Sequence, residues 1–142
     1  MLLENRVAFL TGAGSGIGRA GALALARNGA TVIVTDLDPG RAGAVAEEIA
    51  AAGGRAEAMG LDVTEDAALE GAIHDTHDRF GRLDILHSHA GIQIPGRLED
   101  VSTNDMDASW RLNVRSHFVA ARAATKCERT FSRHEASMSL VL

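Results

Sequence analysis

A chain of 142 residues, 46% hydrophobic and 23% charged, has the length of one domain and the composition of an ordinary soluble globule. Its net charge of -5 argues against a nucleic-acid surface, and no apolar run approaches the ~20 residues of a membrane helix, so neither is expected as a partner. Cys127 is the only cysteine, which excludes an internal disulfide, and no basic, apolar leader precedes the first strand, so a cytoplasmic location is expected.

Val7 to Leu10 is apolar without alternation, the pattern of a strand covered on both faces in a parallel sheet. It breaks into Thr11-Gly12-Ala13-Gly14-Ser15-Gly16-Ile17-Gly18 and then turns helical. Glycines let the backbone turn tightly and approach a ligand, while the helix that follows points its free N–H groups and positive dipole end at the loop. A pyrophosphate is the expected occupant. The literal pattern G-x-G-x-x-G also occurs, at Gly16 to Gly21, but a fingerprint must follow its strand directly, and Gly21 lies a turn inside the helix. There a small residue suits close helix-to-sheet packing. The working spacing is T-G-x-x-x-G-x-G from Thr11 to Gly18, and in this strand-to-helix setting the chain resembles the short-chain dehydrogenase/reductase family. That resemblance implies cofactor contacts from Gly12, Ser15, Gly16, Ile17 and Gly18.

A helix from Gly16 to Asn28 is expected, with Ile17, Gly21 and Leu25 facing the sheet and Asn28-Gly29 ending it. Thr31 to Thr35 is a β-branched second strand, and Asp36 stands just past it, 20 residues after Gly16. An acid at that distance hydrogen-bonds adenosine ribose hydroxyls, and its charge repels the 2′-phosphate of NADP. Ser15 and Leu37, where a base would favour that phosphate, are neutral, so the expected cofactor is NAD. Asp38-Pro39 caps the next helix, whose Val45 and Ile49 mark its buried stripe up to Gly53-Gly54. A third strand lies within Arg55–Leu61, then Asp62-Val63, with Thr64 expected to cap a helix held on the sheet by Leu69, Ile73, Thr76 and Phe80. By resemblance the Asp62-Val63 pair contacts the adenine; the plainer reading of Asp62 is a second helix-capping acid.

Leu83 to His87 is the fourth strand, and the repeated strand–helix alternation predicts an α/β fold: a doubly wound, Rossmann-like parallel sheet. Next stands Ser88-His89-Ala90-Gly91, where the resembled family usually has Asn-Asn-Ala-Gly. Ala90-Gly91 is retained and implies room for the adenosine ribose, whereas Ser88 and His89 replace the asparagines whose side chains tie this strand to its neighbours. His87 and His89 project to one side of an extended segment, and His74, His77 and Asp78 share a helix face, but neither group has a third ligand at fitting spacing, so no metal is expected. Gln93-Ile94-Pro95-Gly96 is a turn-rich loop suited to a substrate wall. Ser102 or Thr103 caps a long helix over about Asp105–Ala124, with Trp110, Val114, His117, Phe118 and Ala121 as its expected buried face. Within it, the resemblance makes Asn113 a residue that perturbs the helix and whose carbonyl holds a water in a proton relay; the alternative is a polar side chain bonding its own helix.

The expected organisation is an NAD-binding region over 1–124, a polar connection over 125–136, and a fifth strand within 137–142, so that the sheet stops after about five strands. In the resembled family the acid/base is a tyrosine in a Tyr-x-x-x-Lys helix beyond the fifth strand, assisted by a serine. This chain has no tyrosine, and its only lysine, Lys126, precedes that strand. The sequence therefore reads as the N-terminal half of an NAD-dependent oxidoreductase acting on secondary alcohols and ketones, not active by itself and taking a small-molecule substrate only when completed. The alternatives are a non-catalytic NAD-binding module and a half-protein completed by another chain. Self-association or aggregation through uncovered apolar surface is expected in either case.

Overall fold

The computed structural model describes residues 1–130 and 139–141. Strand β1 (Val7–Thr11) is followed by α1 (Gly16–Arg27), β2 (Thr31–Asp36), α2 (Pro39–Ala51), β3 (Arg55–Gly60), α3 (Asp66–Phe80) and β4 (Ile85–Ser88). Then come α4 (Thr103–Trp110), a π-helical turn (Arg111–Arg115), α5 (Ser116–Thr130) and β5 (Ser139–Val141). All strand pairs are parallel, in the order β3-β2-β1-β4-β5. The chain steps outward from β1 to β3 and then crosses to the other side of β1, which makes the C-terminal ends of β1 and β4 the point where an open α/β sheet binds its ligands. The doubly wound fold is the one expected, and β5 lies inside the span expected for a fifth strand.

Both sheet faces are covered. Val7 and Phe9 of β1 point into a core completed by Leu69 and Ile73 of α3 and by Val119, Ala123 and Cys127 of α5. Ala8 and Leu10 point into a second core with Ala22 and Ala26 of α1 and Val45 and Ile49 of α2. That is why β1 carries no polar alternation. At the opposite edge of the sheet from the glycine loop, the buried Asp84 accepts hydrogen bonds from the Val7 backbone N–H (2.8 Å), Arg6 (2.8 Å) and Arg82 (2.7 Å). Burial opposes ionisation of this carboxyl, but these three donors outweigh it and hold the group below the ordinary carboxylate value.

Several expectations shift. In α1 the buried residues are Gly18, Ala22 and Ala26, while Ile17 is 73% exposed: a short helix lying on an alanine-rich face turns its small residues inward. Gly21 does serve packing, since a Cβ there would stand 2.9 Å from the His87 ring. Glu65, not Thr64, occupies the cap position of α3, because Asp62 already engages the Thr64 N–H and hydroxyl at 2.9 and 2.7 Å. Strand β4 begins at Ile85, after Asp84 is drawn away to its arginines, and ends at Ser88. The expected buried face of the long helix is corrected outright: Trp110, Val114 and Phe118 are 63%, 43% and 64% exposed, and His117 and Ala121 are half-buried. Ser116, Val119, Ala120, Ala123 and Ala124 face inward instead, so small side chains seat the helix on the core. Ser102 caps α4 in a reciprocal capping box with Asp105, as expected. Helix α5 continues through Thr130, into the span expected as polar connection; residues 131–138 and 142 of that span and the next lie outside the described residues.

Candidate cofactor site

The glycine loop is shaped from both sides. Gly12 has φ +62° and presses on β4's continuation: a Cβ there would be 2.8 Å from the Ala90 Cα. Gly18 packs so closely that a Cβ would lie 2.1 Å from the Gly12 carbonyl oxygen. Gly16, by contrast, has φ +53° and nothing within 4 Å of where its Cβ would stand. Two glycines close the loop and the third leaves open space at its mouth. There the first turn of α1 begins, with the Ser15 side chain making no cap hydrogen bond and no acidic residue in that turn. Exposed first-turn N–H groups with no competing acid fit a phosphate anion.

Asp36 sits at the C-terminal end of β2 and is tied to this loop directly. Its Oδ2 accepts from the Gly14 N–H at 2.9 Å, and its Oδ1 accepts from the Asp38 N–H at 3.1 Å. A Cβ on Gly14 would fall 2.7 Å from both Asp36 Oδ2 and the Arg41 Cβ, so Gly14 is required by the carboxylate's approach. Gly14 and Arg41 were not among the residues expected here; the only sequence signal was the extra glycine within the loop. Arg41 is paired with Asp38 at 3.5 Å, and Asp38 caps α2 by accepting from the Gly40 and Arg41 N–H groups. Beyond β3, Leu61 donates to the Asp36 carbonyl at 2.8 Å, which brings the Asp62-Val63 pair to the same sheet edge. Asp62 is exposed, whereas the Val63 side chain is 6% exposed and belongs to the core, leaving only its backbone to face a ligand.

After β4, Thr11 Oγ1 accepts the N–H groups of His89 (3.0 Å) and Ala90 (3.2 Å) and so fastens the segment to β1. Thr11 heads the loop motif in the sequence, but its hydroxyl tie to a segment 78 residues on has no local signal. On the other side Asn113, in the middle of the π turn, clamps the segment: its Oδ1 accepts from the Ile92 N–H at 2.9 Å and its Nδ2 donates to the Ile92 carbonyl at 2.8 Å. The perturbed helix expected at Asn113 is therefore present, and its side chain bonds the loop and Ser109, not its own helix backbone. Gly91 passes so near that a Cβ would be 3.0 Å from Asn113 Oδ1. Ser88, in place of an asparagine, is buried and pairs with His117 of α5, Oγ to Nδ1 at 2.6 Å. Burial, and then the nearby His89, hold His117 below the ordinary histidine value, and the same two causes act on His87.

Gly12 to Gly18 follow β1, Asp36 ends β2, Asp62 follows β3, and Ala90 and Gly91 follow β4, so all of them stand at the C-terminal ends of the strands. The close approaches at Gly12 and Gly18 and the open space at Gly16 are a cradle that side chains would fill, which suits a dinucleotide. Beside it, a pocket of about 740 Å³ is lined by Ile92, Ile94, Val101, Met106, Trp110 and Asn113, among others; no residue of the glycine loop lines it. Among the described residues no group of three metal-ligating side chains is gathered together.

Comparison with known proteins agrees with this architecture. The chain is 37% identical over 123 residues to the (2S)-[(R)-hydroxy(phenyl)methyl]succinyl-CoA dehydrogenase subunit BbsD of Thauera aromatica, covering 87% of this chain and 50% of that one. It is 42% identical over 123 residues to versicolorin reductase 1 of Aspergillus parasiticus, covering 86% and 47%. A short chain dehydrogenase from Burkholderia cenocepacia J2315, solved in complex with NADP, superposes with a TM-score of 0.84 at 39% identity, over 89% of this chain and 52% of that one. The chain thus spans about half the length of the curated relatives it matches. A family model described as short chain dehydrogenase matches residues 6–135, and with the sheet order and the loop geometry this places the chain in the short-chain dehydrogenase family of oxidoreductases.

Proposed function

We propose that this chain is the cofactor half of an NAD-dependent oxidoreductase that interconverts secondary alcohols and ketones. The observation that carries the choice of NAD is the Asp36 carboxylate, anchored on the Gly14 N–H at the end of β2. Fixed there, it accepts ribose hydroxyls and places negative charge against a 2′-phosphate. Gly12, Gly16, Gly18 and the first turn of α1, with Ser15 and Ile17 at its mouth, hold the pyrophosphate. Asp62 and the Val63 backbone face the adenine, and Ala90 with Gly91 seat the ribose. The bound nicotinamide supplies hydride acceptance and donation. The chain's own residues orient and enclose it, and the Asn113 carbonyl, within the π turn, holds a relay water. The pocket walled by Ile92 and Ile94 is the substrate side.

A second reading follows from one observation: the chain contains no tyrosine to exchange the proton. On that reading it binds NAD without turning it over, or acts when completed by another chain. Titration with NADH and NADPH, followed by Trp110 emission and calorimetry, tests the shared claim. NADH is expected to bind at least about tenfold more tightly, with Asp36→Ser narrowing the gap, as charge removal at about 1.4 kcal/mol per tenfold implies. Tighter binding of NADPH would overturn the assignment of NAD, and no uptake of either would overturn the cofactor site. Turnover by the isolated chain with a secondary alcohol would exclude the second reading.

A further inference from the structure

Ser88 and His117 are 29 residues apart and occupy positions that the cofactor reading does not use. Ser88 is 4% exposed, and a buried hydroxyl needs a partner; His117 Nδ1 is the one it has, at 2.6 Å. The segment that follows is held at four other points. Two are the Thr11 hydroxyl bonds to His89 and Ala90, and two are the Asn113 bonds to Ile92. Asn113 and His117 lie four residues apart and bond successive parts of the same segment, one at its far end and one at its root in β4. Gly12 and Asn113 crowd it from either side, so a small displacement of its root moves Ala90 and Gly91 against the loop.

We propose that the Ser88–His117 hydrogen bond is a positioning latch, which fixes the 88–92 segment on the helix carrying Asn113 and so holds Ala90 and Gly91 in register with the glycine loop for the cofactor's ribose. The latch rests on the cofactor-site reading only in its last clause. It adds a tie from strand to helix beside the Thr11 ties between strands, and the buried Ser88 acts through Ala90 and Gly91.

Amide hydrogen exchange on the full chain tests it, with S88A and H117L removing the bond and H117N restoring a polar atom at the same reach from Cα. In S88A and H117L the His89, Ala90 and Ile92 amides are expected to exchange about three- to tenfold faster, the range that loss of one hydrogen bond allows. The Gly14 and Val7 amides, held by Asp36 and Asp84, serve as controls and stay within about twofold, and H117N returns the segment to wild-type exchange. NADH affinity falls by a similar factor in S88A and H117L and recovers in H117N. Uniform acceleration of all amides, no change at the three, or failure of H117N to rescue would overturn the latch. Altered exchange with unaltered affinity would overturn its service to the cofactor. If the unmodified chain takes up no NADH, the cofactor-site reading falls with the ribose clause, and the exchange pattern still decides the latch.

Discussion

Gly12 and Gly16 have nearly the same backbone, φ +62° and +53°, yet their surroundings separate what each is for. Gly12→Ala combines left-handed strain with a Cβ 2.8 Å from the Ala90 backbone, so both fold and site suffer: a loss of about 2–4 kcal/mol, from strain and overpacking together, is expected in urea melts. Gly16→Ala meets open space and pays only the left-handed cost, about 1–2 kcal/mol. Its methyl stands at the loop mouth, so NADH affinity is expected to fall more than stability does. The reverse order of effects, measured by calorimetry beside melts, would place the anion elsewhere. Asp84 makes a pH prediction. Its carboxyl is depressed in the folded chain, so its stabilisation is fully present above the ordinary value near 3.8 and is lost as pH falls through the lower folded value. Asp84→Asn is expected to cost about 1–3 kcal/mol at neutral pH, with the gap to wild type closing below about pH 4. A gap that persists in acid would mean that the arginines do not depend on the carboxylate's charge.

At the scale of elements, what was legible depended on whether the signal was local. The strand, loop and helix from Val7 to Arg27 announce themselves through adjacent residues, and Asp38-Pro39 and Ser102 with Asp105 are caps written within four positions. Helix faces are another matter. Ile17 was expected inward and lies outward because the phase of a short alanine-rich helix is set by the sheet beneath it. The long helix departs for a related reason: small residues seat it, so Ser116, Val119, Ala120, Ala123 and Ala124 face the core while the larger Trp110, Val114 and Phe118 point to solvent. The Thr64 cap failed because Asp62, two residues earlier, competes for the same groups. The Ser88–His117 pair joins a strand to a helix across 29 residues and has no local signature. Around the loop, the glycine spacing that Gly12 and Gly18 need for their close approaches is local and legible, whereas the roles of Gly14 and Arg41 beside Asp36, and the Thr11 hydroxyl bonds to the segment after β4, come from neighbours distant in sequence.

Among the described residues, the molecule has two unequal cores and an exposed apolar stripe. Alanines dominate the side under α1 and α2, while Phe9, Leu69, Ile73 and Leu86 fill the side under α3 and α5. Along the outer side of the latter, Met106, Trp110, Val114 and Phe118 recur every four residues and are 43–64% exposed. An apolar stripe of this length favours self-association, and sedimentation is expected to show mass rising with concentration. W110E with F118E should shift the chain toward monomer while leaving its melting nearly unchanged, because neither side chain is in a core. Monomers at all concentrations in the unaltered chain would refute the stripe as an association surface.

The sole cysteine gives α5 a built-in reporter. Cys127 is 5% exposed in the core shared by α3 and α5, and burial, then Asp78, raise its thiol above the ordinary value. A thiol in that state reacts with alkylating reagents only when the helix lifts from its seat, so at saturating reagent the labelling rate is the rate of that lifting. The docking of the helix that carries the Ser88 partner can thus be timed in the unaltered chain, against background reaction from no other thiol.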